Sequence, residues 1–95
     1  MSRAYRVRCQ CKNITKKQLH ELMVDELCWN ENDTSEYQWI TYFEEEGCLR
    51  GGQSEFEAHK EIEETLKAIN PKALVKTGWT YLDDLPYEEY GSLEE

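Results

Sequence analysis

The stretch Ala4–Lys12, AYRVRCQCK, decides the fold. Tyr5, Val7, Cys9 and Cys11 alternate with Arg6, Arg8, Gln10 and Lys12, the period of two expected of a strand with one buried face. One side of this strand is apolar and the other is a basic row, so the apolar side needs a covering layer. The next residues, NITKKQLHELMVDELCW (13–29), supply one. Thr15 caps a helix, Gln18 three residues on returns a bond to the Thr15 amide, and Ile14 staples onto Leu19. Leu19, Leu22, Met23 and Leu27 then recur at helical spacing, which predicts a helix from about Lys16 to Cys28 with Cys28 closing its apolar face.

Working outward, NENDTS (30–35) reads as a loop, and EYQWITYFEE (36–45) is dense in aromatic and β-branched residues. It predicts a second strand over Tyr37–Glu44, with Tyr37, Trp39 and Phe43 on one face and Ile40 and Tyr42 on the other. Glu44, Glu45, Glu46 and Gly47 read as a hairpin leading into a short third strand, CLRGGQ (48–53), which Gly51 and Gly52 weaken. Ser54 and Glu57 repeat the capping-box spacing. Phe56, His59, Ile62, Leu66 and Ile69 form a helical stripe that Pro71 ends after Asn70. ALVKTGWTYL (73–82) is the fourth strand. The order strand, helix, strand, strand, helix, strand, threaded with right-handed crossovers, predicts an α+β, ferredoxin-like βαββαβ fold: a four-stranded antiparallel sheet with two helices on one face.

The 95 residues suffice for one core and not for two, so residues 1–95 are read as a single domain. Residues 83–95 form its acidic C-terminal segment. Leu85, Tyr87, Tyr90 and Leu93 stand among those acids, which is unlike a solvated tail; partial order is expected, with a helical turn begun by Pro86 and closed by Gly91. No apolar run approaches the roughly 20 residues of a membrane span, and the N-terminus lacks the apolar centre of a signal peptide. The expectation is a cytoplasmic protein with reduced cysteines.

Cys9, Cys11, Cys28 and Cys48 with His20 and His59 do not have zinc-finger spacing. The cysteines read as buried small hydrophobes, and no motif asks for a metal or a cofactor. The helical histidines have no nucleophile or base at a recognisable spacing. Cys48–Gly52 is the enzymatic alternative: Arg50, Gly51 and Gly52 before a capped helix could hold an anion on backbone N–H groups. A second alternative is a sheet that binds single-stranded nucleic acid through Arg6, Arg8 and Lys12. The formal charge of −9 disfavours direct nucleic-acid binding overall.

That charge is unevenly distributed. Residues 1–17 hold six bases and no acid, whereas residues 18–95 hold five bases and all 20 acids. Such asymmetry directs association rather than fold. The leading expectation is therefore a small non-catalytic interaction protein that binds a basic protein or nucleoprotein surface. Its predicted contacts are Glu44, Glu45, Glu46, Asp83, Asp84, Glu88 and Glu89, with Tyr87 and Tyr90 as anchors. In size and charge it resembles the small phage or mobile-element proteins that inhibit CRISPR or restriction complexes, which implies a nucleic-acid mimic.

Overall fold

The computed structural model describes residues 4–31, 34–49, 53–81 and 86–94. The fold is α+β, with two helices and a five-stranded antiparallel sheet. The chain runs through β1 (Ala4–Lys12), α1 (Lys16–His20) with a π-helical continuation Glu21–Glu26, β2 (Ser35–Tyr37), β3 (Ile40–Cys48), α2 (Glu55–Ile69), β4 (Leu74–Tyr81) and β5 (Glu88–Gly91). The strands lie in the order β2-β3-β1-β4-β5. Among the described residues no helix is long and apolar enough to cross a membrane.

β1 is central, and its alternation organises the molecule. Tyr5, Val7, Cys9 and Cys11 are buried, together with Phe43 of β3 and Val75 and Trp79 of β4. Leu19, Leu22 and Met23 from the first helical segment and Ala58, Ile62 and Leu66 from α2 close the same core. Both capping boxes form: Thr15 with Gln18, and Ser54 with Glu57.

Four expectations are corrected. The sheet has five strands among the described residues rather than four. The second strand is broken, because Gln38 and Trp39 both adopt left-handed backbone (φ 51° and 67°) and make a two-residue turn between β2 and β3. Such mirror-type turns normally carry Asn or Gly, so Gln-Trp gave no signal. The turn resets the faces: Tyr37 pairs with Ile40, Phe43 goes inward, and Ile40 and Tyr42 share the outer face. Glu44, Glu45 and Glu46 are not a hairpin either, since β3 runs straight through them to Cys48, held in register against Arg8, Val7 and Arg6. Finally, residues 88–91 form an edge strand on β4 and not a helical turn.

The first helix also departs from its predicted course. After His20 it widens, Leu27 N–H reaching Leu22 C=O at 2.9 Å, five residues back, the π-helical pattern. Trp29 N–H bonds Met23 C=O at 2.9 Å, which needs a left-handed residue at Cys28 (φ 61°) in the manner of a Schellman closure. Trp29 is thereby swung inward against Trp79, ring centres 5.8 Å apart. Cys28 is exposed rather than buried.

Candidate interaction surfaces

The sheet face away from the helices carries the even-numbered residues of β1. Arg6 Nε donates to Glu44 Oε2 at 2.7 Å and Arg6 Nη1 to Glu46 Oε1 at 3.2 Å. Glu44 is a hub. Its Oε2 also accepts from the Tyr87 hydroxyl at 3.0 Å and its Oε1 from the Tyr42 hydroxyl. Burial pushes the Glu44 carboxyl up, and the hydrogen bonds from Tyr42, Arg6 and Tyr87 more than reverse this, leaving it below its ordinary range. The same contact acts oppositely on the phenols, which would have to ionise beside a carboxylate. Tyr42, raised first by burial and then by its bond to Glu44, is pushed up to about 12.

Tyr87 reaches this hub by packing over Gly78, where an added Cβ would come within 3.2 Å of its ring. Arg8 stacks on the ring at 4.3 Å and meets Glu89 at 3.5 Å. Glu89 in turn meets Lys76 at 3.3 Å. The basic row of β1 is therefore matched by carboxylates at Arg6 and Arg8, while Lys12 has no ion-pair partner among the described residues.

On the helix side, Tyr90 of β5 packs edge-on against Phe56 of α2, ring centres 5.8 Å apart. Tyr90 donates to Glu88 at 3.3 Å. Phe56 is 53% exposed and borders an open groove of about 390 Å³ lined by Glu57, Lys60, Glu61, Glu64 and Thr65. The carboxylates of Glu57 and Glu88 accept from neutral donors, the Ser54 N–H and the Tyr90 hydroxyl, and neither meets a cation among the described residues.

Beneath Tyr90 lies His59, nearly fully buried. Trp79 Nε1 donates to Thr77 Oγ1 at 2.8 Å, which leaves the Thr77 hydrogen for His59 Nδ1 at 2.9 Å. His59 Nε2 then points its hydrogen to Glu63 Oε2 at 3.5 Å. Burial depresses the imidazole pKa, consistent with a neutral ring. Hydroxyl, imidazole and carboxylate fall in the order of a hydrolytic triad, yet Thr77 has no exposed surface and its hydroxyl cannot meet a substrate. Gly91, at φ 81°, lets β5 close over this network, since a Cβ there would sit 2.2 Å from Val75 C=O and 2.7 Å from His59 Cε1.

The residues expected to form one acidic contact surface are divided by strand alternation. Glu44, Glu46, Tyr87 and Glu89 belong to the open face. Glu45 stands opposite Val7 on the helix side, as do Glu88 and Tyr90. Asp83 and Asp84 lie outside the described residues, as do Arg50, Gly51 and Gly52 of the alternative anion site. Among the described residues no three His, Cys, Asp or Glu side chains gather closely enough to hold a metal ion. In the sequence Phe56 reads only as a member of the apolar stripe. It is the first apolar position after the Ser54 cap, where a helix stripe often runs out of core to cover, and that position was the available signal.

Comparison with protein-family models, with curated proteins and with solved structures finds no match.

Proposed function

We propose that the protein is a non-catalytic interaction module whose acidic, aromatic surface docks on a basic protein or nucleoprotein. We read its fold as ferredoxin-like, β2-β3-β1-β4 with a helix after β1 and after β3, extended at one edge by β5. The observation that carries the functional reading is the Phe56–Tyr90 pair. A large ring left half exposed beside an aromatic partner, bordered by the carboxylates of Glu57 and Glu88, which meet no cation among the described residues, has the make-up of an interface anchor with a charged rim. The groups that would do acid–base chemistry are engaged elsewhere: His59 in a buried structural network and Glu44 as a saturated acceptor. An acidic surface of this kind occupies grooves that otherwise follow nucleic-acid phosphates, and the protein would then act as an inhibitor by mimicry.

The test is capture from an extract of the native host on immobilised protein, with wild type, Phe56→Ala and the double reversal Glu64→Lys with Glu88→Lys compared side by side. Wild type retains a basic partner at low salt and releases it as the Debye length shrinks from about 10 Å toward 3 Å. Both variants keep the wild-type thermal midpoint and lose the partner. Capture that ignores salt and both variants refutes this surface.

A further inference from the structure

Trp39 is the residue that the fold explains least. It is 86% exposed and sits at φ 67°, next to Gln38 at φ 51°, in a turn where glycine or asparagine is ordinarily found. A bulky side chain in left-handed backbone is a conformational outlier, and its ring is scarcely buried by the fold. Beside it Tyr37 is 75% exposed. Both lie at the end of the sheet where β1 finishes at Lys12.

The charges at this end differ from those of the whole chain. Ile40 and Tyr42 of β3 lie on the open face with Tyr37 and Ser35 of β2. Gln10 stands opposite Tyr42 and Lys76, and Lys12 opposite Leu74. These positions hold no carboxylate. Lys12 and the nearby Lys72, whose carbonyl accepts from the Asn13 amide at 2.8 Å, have no ion-pair partner among the described residues. Glu36, paired in register with the inward-facing Thr41, lies on the other face of the hairpin. There it lines an open groove of about 420 Å³ with Trp39, Lys12 and Asn13. On a molecule of net charge −9, an end of the sheet where exposed rings, an amide and two lysines without an ion-pair partner among the described residues meet a single carboxylate, Glu36, is a local exception.

We propose that this end of the sheet binds single-stranded nucleic acid around the hairpin tip, bases stacking on Tyr37 of the open face and on Trp39 in the turn, and phosphates meeting Lys12 and Lys72. Flat aromatic faces interleaved with cations are the general means by which sheets take unpaired strands. A purely apolar partner would leave Lys12 desolvated and unpaired. Of Arg6, Arg8 and Lys12, Lys12 alone has no ion-pair partner among the described residues, because Arg6 and Arg8 are committed to Glu44, Glu46 and Glu89. The site is separate from the Phe56–Tyr90 surface, and either can fail without the other.

The experiment is fluorescence anisotropy of labelled single-stranded DNA and RNA of about 12 nucleotides, titrated with the full chain at about 20 mM and 150 mM salt. Trp39 emission serves as a second readout, since Trp29 and Trp79 are buried. Wild type binds at low salt, quenches the exposed tryptophan, and loses affinity with a log–log salt slope of about −1.4, as expected for two phosphates. Lys12→Glu and Trp39→Gly each weaken binding by roughly tenfold or more. Trp39→Gly keeps or raises the thermal midpoint, so its loss of binding is not unfolding. Arg6→Lys and the Glu64→Lys, Glu88→Lys pair bind at least as well as wild type. Absence of any low-salt signal overturns the proposal, as does wild-type affinity in Lys12→Glu and Trp39→Gly. Burial of Trp39 in self-association or on anionic vesicles, without oligonucleotide binding, overturns it too.

Discussion

The open face of the sheet has two halves made from the same strands, and they treat charge in opposite ways. Around Arg6 and Arg8, cations and carboxylates interleave: Arg6 with Glu44 and Glu46, Arg8 and Lys76 with Glu89. Around Lys12 there are two exposed aromatics, a strained turn and a single carboxylate, Glu36. The difference follows from register. Antiparallel pairing sets Glu44 opposite Arg8 and Glu46 opposite Arg6, whereas Tyr42 falls opposite Gln10 and Thr41 opposite Cys11. A slip of one residue would have turned the acids of β3 to the helix side and undone the pairing. One half is thus built to hold itself together, and the other leaves its chemistry unspent.

The strongest way to break this contrast is to remove the hub. Glu44→Ala strips the acceptor from Arg6, Tyr42 and Tyr87 together, and hydrogen bonds to a charged group are worth about 1.5–3 kcal/mol each when partly shielded. With water able to replace some of them, a net loss of about 2–3 kcal/mol is expected, read as a lower urea midpoint at unchanged slope. A loss below about 0.5 kcal/mol would show that the cluster is decoration on a sheet stabilised elsewhere.

The same hub gives a pH signature. The folded-state pKa of Glu44 is depressed, so its contribution is complete above the unfolded value of about 4.3 and is lost as pH falls through the folded one. His59, also depressed, adds a loss that begins higher, below about 6.5. Urea midpoints from pH 8 to pH 3 should therefore fall in two stages. Glu44→Gln should flatten the lower stage and leave the upper intact. A single transition unaffected by Glu44→Gln would contradict the assignment.

In the other half the expected effect is smaller and opposite in sign. Trp39 is held in left-handed backbone at a cost of about 1–2 kcal/mol relative to glycine, with little burial to offset it. Trp39→Gly should raise stability by about 1 kcal/mol, part of the gain being returned by the freer unfolded chain. Destabilisation would mean that the indole packs on its neighbours more than its exposure suggests.

These features differ in how far the sequence disclosed them. The alternation of Ala4–Lys12 and the two capping boxes are local patterns, and each corresponds to an element that forms. The Gln38–Trp39 turn carries none of the residues that announce a mirror-type turn, so in the sequence the hairpin reads as one strand and Tyr37 falls on the same face as Phe43, where the structure sets them on opposite faces. Glu45, Glu46 and Gly47 read as a turn after a strand that ends at Glu44. What carries the strand through them is pairing with β1, where Arg6 stands opposite Glu46, 40 residues away, and no local window contains both. The place of Tyr87 among the acids already marks it as unlike a solvated tail residue, but its seat on Gly78 depends on β5 pairing with β4 instead of coiling into a helical turn.

The smallest expected effect is also the sharpest comparison of the two halves, because it uses equivalent changes on one strand. Arg8→Ala removes a guanidinium from the Tyr87 ring at 4.3 Å and from Glu89 at 3.5 Å. Arg8 is about one third exposed, so the ion pair itself is worth little. The stacking adds about 0.5–1 kcal/mol, and the expected loss is about 1 kcal/mol. Lys12→Ala, four residues along the same row, removes a cation with no ion-pair partner among the described residues and should change stability by less than about 0.5 kcal/mol. The two sites share no partner, so the double variant should equal the sum of the singles to within about 0.5 kcal/mol. A loss at Lys12 as large as that at Arg8, or a double variant far from additive, would mean that the half-faces form one electrostatic unit. Lys12 would then not be free to serve a ligand.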